Sequence, residues 1–167
     1  MATPDTETLW QTVATERRRL ADDLSRLDEA QWRTQSQCDA WTVEEIASHM
    51  VTPFETSNLR FMMALLKARG NFDKAILGLT ARVHSRHSRQ DAIRKLRDQA
   101  ENRWTPPKAG PEIMLAEVVV HGQDIRRAIG SDHDIPADTI ELTLTGITDP
   151  TIRADYAARI GVAVPTS

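Results

Sequence analysis

Apolar residues recur at three- and four-residue steps along most of this 167-residue chain, and that period restricts it to an all-α fold. The first such run spans about Asp5 to Leu27. Trp10, Val13, Leu20, Leu24 and Leu27 form its stripe, with Arg17 as the one charged member, and Asp5 or Thr6 can cap it. A connection from Asp28 to Ala40 carries Trp32 and Cys38. Thr42 and Glu45 then form a capping box, and Val43, Ile46, Met50, Phe54, Phe61 and Leu65 give the next helix its apolar side. Pro53 lies inside that run and cannot donate to the His49 carbonyl, so the helix is expected to bend or stop there. Gly70 and Asn71 punctuate before a helix over about 72–83. Ser88 opens another through about Arg103, and 104–110 reads as a loop. Pro111 suits the first turn of the last main helix and Gly130 its end. Seven glycines and no long alternating pattern leave no sheet to build.

Two short helices, over about 135–144 and 149–160, complete the chain. The expectation is one domain over 1–167: an α-helical bundle over about 5–130 and a short C-terminal helical extension over 131–167.

Charge and composition narrow the function classes. A net charge of -3 argues against nucleic-acid binding, and the run Arg17-Arg18-Arg19 is expected to be a solvated helix face. No apolar run approaches the roughly 20 residues of a membrane span. MATPDTETLW lacks an apolar signal region, and the single cysteine, Cys38, forbids an intrachain disulfide. These features together fit the cytoplasm. A homodimer is compatible with them.

One segment breaks the pattern. On the helix PEIMLAEVVVHGQDIRRAIG (111–130), Glu117 and His121 fall in the middle of an apolar arc flanked by Ile113, Met114, Val118, Val120 and Ile125. They are neighbours at i and i+4, and Asp124 shares their face. An unpartnered charge there would cost several kcal/mol or more, so something must compensate. A divalent metal would do so, and so would a hydrogen-bonded Glu–His pair. His49, on the shoulder of its helix beside Pro53, faces a neighbouring helix and has two readings: a structural residue, or a third ligand. Two histidines and a glutamate match catalytic zinc usage with a position left open, and imidazole with carboxylate also suits nickel, iron or manganese. Asp124 has two readings: it accepts the free ring N–H of a histidine ligand, or it pairs with Arg126 or Arg127. His84, His87 and His133 read as surface or loop residues. Cys38 reads as a small hydrophobe beside a buried Trp41. Trp41 is expected to pack under the start of the second long helix and fix how His49 enters the site.

The stretch Cys38-Asp39-Ala40-Trp41-Thr42-Val43, followed by His49-Met50, resembles the "C-x-G-W-T-V-x-x-x-x-x-H-L" block of the mycothiol-dependent maleylpyruvate isomerase family. Glu117 to Ala128 is similar to that family's "E-x-x-x-H-x-x-D-[IL]-R-x-A" helix. Ala40 stands where the family has glycine, and Met50 where it has leucine. The resemblance implies a DinB-like four-helix bundle over about residues 6–145. It also implies a divalent metal, usually zinc, held by His49, Glu117 and His121. The metal would activate the small thiol mycothiol for isomerisation or S-transfer on small electrophiles. Metal-bound thiols deprotonate at neutral pH, which is the chemical sense of such a site. The isomerases carry a second, C-terminal domain, and the residues after 131 are too few for one. The resemblance therefore implies the metal site more firmly than the reaction. The alternative is a non-catalytic, metal- and thiol-binding bundle or a stress-related ligand-binding protein.

Overall fold

The computed structural model describes residues 5–107, 109–131, 134–147 and 150–161. His133, expected in a loop, lies outside them. Within them every regular element is an α-helix, and an isolated antiparallel bridge joins Gln35 to Thr42. The helices are α1 (Thr6–Leu24), α2 (Glu29–Trp32), α3 (Val43–Glu55), α4 (Asn58–Lys67), α5 (Phe72–His84), α6 (Arg89–Asp98), α7 (Pro111–Ala128), α8 (Ala137–Thr145) and α9 (Pro150–Ile160).

Local chemistry explains most of the starts. Asp5 accepts from the Thr8 amide at 3.2 Å. The Thr42 hydroxyl faces the Glu45 amide at 3.4 Å, and Glu45 reaches back to the Thr42 amide at 2.9 Å. That exchange satisfies two amides that a helix start leaves without partners. Ser88 and Asp91 make the same reciprocal cap on α6. Gly130 takes φ 66, the left-handed turn that ends α7.

Several boundaries differ from expectation. The 28–40 connection contains the short helix α2, started by a capping box between Asp28 and Gln31. Helix α3 runs through Pro53 and stops at Glu55, where Thr56 turns extended (φ -115, ψ 123). Ser57 then caps α4. The single apolar run from Val43 to Leu65 is therefore two helices. Helix α1 ends at Leu24, and α6 ends at Asp98.

Helices α1, α7, α3 and α6 touch in a closed cycle, each meeting the next. Their shared interior holds Val13, Leu20, Leu24, Val43, Ile46, Val51, Leu96, Leu115, Val119 and Ile125, all fully buried. Each such side chain contributes about 1.5–3 kcal/mol on burial. Helix α5 packs on α3, α4 packs on α5, and α8 and α9 pack on α7.

Two arginines belong to this interior. Arg17 is buried, not solvated as the arginine cluster led us to expect. Its Nη1 donates to the carbonyls of Ala100 (2.9 Å) and Asn102 (2.7 Å), and its guanidinium lies 5.0 Å from the centre of the Phe54 ring. Those partners let a charge sit in the apolar stripe. Arg126 of α7 is 1% exposed and grips Asp23 of α1 through Nε (2.8 Å) and Nη2 (2.7 Å).

Removing Asp23 leaves that guanidinium buried without its anion. Asp23→Ala should cost about 3–5 kcal/mol in urea unfolding. A loss below about 1 kcal/mol, the scale of a surface pair, would show that water reaches Arg126.

Candidate metal centre

Helix α3 delivers His49 and helix α7 delivers Glu117 and His121 to one point. One ligand atom from each of the three lies within 4.8 Å of the others. Glu117 Oε2 is the hub, 3.0 Å from His49 Nε2 and 3.6 Å from His121 Nε2. Atoms about 2.0–2.2 Å from a tetrahedral zinc ion stand roughly 3.3–3.6 Å apart, and the two spacings to Glu117 lie close to that range. Both imidazoles are buried and Glu117 is half-buried.

The outward atoms of the trio are engaged. His121 Nδ1 donates to Asp124 Oδ2 at 3.1 Å, because a carboxylate only accepts. That places the proton on Nδ1 and turns Nε2 toward Glu117. His49 Nδ1 lies 3.2 Å from the Thr80 hydroxyl of α5, which can accept its proton when Nε2 serves as a ligand. The Tyr156 hydroxyl donates to Glu117 Oε1 at 3.1 Å and leaves Oε2 for the cluster. Asp124 is held by the Arg159 guanidinium; among the described residues it pairs with neither Arg126 nor Arg127. The trio thus has the donor set, spacing and orientation for a divalent cation.

The Trp41 ring stacks on His49 with centroids 4.4 Å apart and meets the His121 ring edge-on at 5.6 Å. It is half-buried, less enclosed than its position before the capping threonine led us to expect. The loop before it is fixed by Ser36, whose hydroxyl donates to the Trp41 carbonyl at 2.6 Å and accepts from the Cys38 amide at 3.0 Å. The Gln37 amide donates to the Asp124 carbonyl at 3.4 Å, so the loop is tied to α7. Trp41 and Pro53 line, with the trio and Cys38, a cavity of about 600 Å³. Cys38 is half-buried, and burial pushes its thiol pKa up.

His84 is exposed and its Nδ1 faces the Ser48 hydroxyl at 3.1 Å; His87 is half-buried against Glu55. Neither joins the trio. Sequence reading missed Thr80, Tyr156 and Arg159. Thr80 sits on the buried face of α5 between Leu79 and Val83, where a hydroxyl needs a partner. Tyr156 is the chain's one tyrosine, a weaker signal.

Charges in the cluster are strongly coupled. Burial would raise the Glu117 pKa, but hydrogen bonds from His121 and His49 hold it well below the ordinary carboxylate range. Burial dominates at His49 and lowers its pKa despite Glu117. At His121 burial also opposes the charge, yet Asp124 and Glu117 win, and the pKa is pushed up from 6.5 to about 9.

A raised folded-state pKa stabilises below the unfolded value, and that contribution disappears as pH rises through the folded value. Metal-free protein should therefore lose stability between pH 6.5 and about 9 as His121 gives up its proton. Urea midpoints across that range check this, and His121→Asn should flatten the slope; an unchanged slope would contradict the assignment. Tyr156→Phe removes the donor to a buried carboxylate and should cost about 1.5–3 kcal/mol in the same assay.

The family model described as "Mycothiol maleylpyruvate isomerase N-terminal domain" matches residues 13–126. That span includes His49, Glu117, His121 and Asp124, while Tyr156 and Arg159 on α9 lie beyond it. Neither a curated protein nor a solved structure matches the chain. No helix among the described residues is long and apolar enough to cross a membrane. With a family model covering more than half of its length, the chain belongs to the mycothiol maleylpyruvate isomerase N-terminal domain family.

Proposed function

We propose that this protein holds a divalent cation, zinc before nickel, iron or manganese, through His49, Glu117 and His121. With it the protein would use mycothiol in S-transfer to, or isomerisation of, small electrophiles. The observation that carries this reading is the convergence of three ligand atoms within 4.8 Å beside a cavity of about 600 Å³. The choice of thiol is supported by the family's name.

When bound, a divalent cation makes a coordinated thiol acidic enough to exist as thiolate at neutral pH. The chain's own residues prepare for that. Asp124 and Thr80 face the Nδ1 atoms, so that both Nε2 atoms can converge. Tyr156 occupies Glu117 Oε1 and leaves one carboxylate oxygen as a donor. Arg159 balances the charge of Asp124, and the Trp41 indole shields one side of the His49 ring from water.

A second reading is a module that binds metal and thiol without turnover, since the family match identifies a domain and not a reaction.

His49→Ala and Glu117→Ala should each remove most of the bound metal in elemental analysis while circular dichroism keeps its helical signal. One metal per chain retained in both variants would rule out this ligand set. Purified protein should consume an electrophile only with metal and thiol both supplied. Equal turnover after metal stripping would refute the catalytic reading, and tight binding without product would select the module.

A further inference from the structure

We infer that the electrophile accepted by this site is a neutral, largely apolar molecule, and not the dicarboxylate that the family's name describes. The inference rests on the proposed reading of the site and concerns the walls of the cavity. These are supplied by Phe61, Phe72, Ile76, Leu79, Trp104 and Met114. Phe61 lies edge-on to Phe72 and Trp104, with ring centroids 6.0 and 6.2 Å away. This aromatic group and the His–Glu–His trio border the same space. About 600 Å³ falls within the range of sites for drug-sized molecules.

A dicarboxylate entering such a space must exchange its hydration for cationic partners or hydrogen-bond donors. Among the described residues Arg17 is the one arginine or lysine that lines the cavity. It is buried, with Nη1 committed to the carbonyls of Ala100 and Asn102. Of the other polar side chains of the wall, three more are engaged. Trp104 Nε1 donates to Asn58 at 2.9 Å, the Thr52 hydroxyl to the Ser48 carbonyl at 3.1 Å, and the Tyr156 hydroxyl to Glu117 at 3.1 Å. Outside the trio, the other charge among the described residues of the wall is Asp73 in the first turn of α5, an exposed carboxylate that forms no ion pair among the described residues. It repels anions. A cation in the trio could neutralise one carboxylate, but the second would face aromatic and aliphatic carbon.

The matching substrate class is an aryl- or alkyl-substituted alkene conjugated to an uncharged carbonyl. The thiol sulfur forms a bond to the β-carbon as the C=C π bond breaks, and the thiol proton ends on the α-carbon. Nothing is oxidised or reduced.

Binding of the neutral fluorescent probe N-phenyl-1-naphthylamine to the full chain tests this, with and without added zinc. One probe per chain should bind in both states. Cinnamaldehyde should displace it, and maleate at a hundredfold higher concentration should not. Leu77→Asp, at an exposed position on the cavity wall, should weaken the probe tenfold or more while keeping the helical signal. Displacement by maleate as readily as by cinnamaldehyde, absence of binding, or an unaffected Leu77→Asp variant would overturn the inference. Metal- and thiol-dependent turnover of maleylpyruvate without probe binding would overturn it and leave the proposed function standing. Probe binding with the predicted selectivity, but no metal- or thiol-dependent turnover, would sustain the apolar cavity and refute catalysis.

Discussion

Glu117 is a carboxylate in the middle of an apolar helix face, and much of the surrounding structure exists to compensate it. Its Oε2 meets His49 from α3 and His121 one turn along α7; its Oε1 takes the Tyr156 hydroxyl from α9. Three helices are thereby joined at one side chain. Asp124, Arg159 and Thr80 extend the network outward from the imidazoles. A buried polar network of this kind stabilises only when its members are partnered. Each of the seven side chains named here has a partner in the network.

The same network separates two roles of the fold. The α1–α7–α3–α6 cycle supplies the apolar interior and, through Arg126 and Asp23, a long-range ionic tie between α1 and α7. Helices α4 and α5 add the aromatic wall and Thr80, and α9 adds Tyr156 and Arg159. Helix α9 lies outside the segment matched by the family model. The His–Glu–His trio therefore lies inside the family domain, and the polarity of its surroundings is set in part by flanking residues.

Features set by neighbours within four residues were legible in the sequence. The Thr42–Glu45 box, Pro111 at a helix start and Gly130 at its end all appear as read. The Asp28–Gln31 box carried the same local signal but started a helix of only four residues, too short for periodicity to reveal. Pro53 marked a bend or stop in this run, but the break itself falls at Thr56, where the apolar period continues and no glycine or proline stands. Arg17 was misplaced for a different reason. Its carbonyl partners are 83 and 85 residues away and become neighbours only when α1 meets the end of α6. Glu117, His121 and Asp124 stood out because they violate a helix pattern. Tyr156 and Arg159, 39 and 35 residues from their partners on a weakly amphipathic helix, violate none.

The central claim is that Glu117 Oε2 and the two Nε2 atoms form a cation site with room for one further ligand. Zinc-edge X-ray absorption on zinc-loaded protein, with no added thiol, tests it most directly. The account predicts a first coordination sphere of nitrogen and oxygen with the multiple-scattering signature of two imidazoles, and a sulfur scatterer only after thiol is added. Sulfur in the first sphere before thiol addition would place Cys38 on the metal. A purely oxygen sphere without imidazole would place the ion elsewhere. Either result would contradict the assigned site.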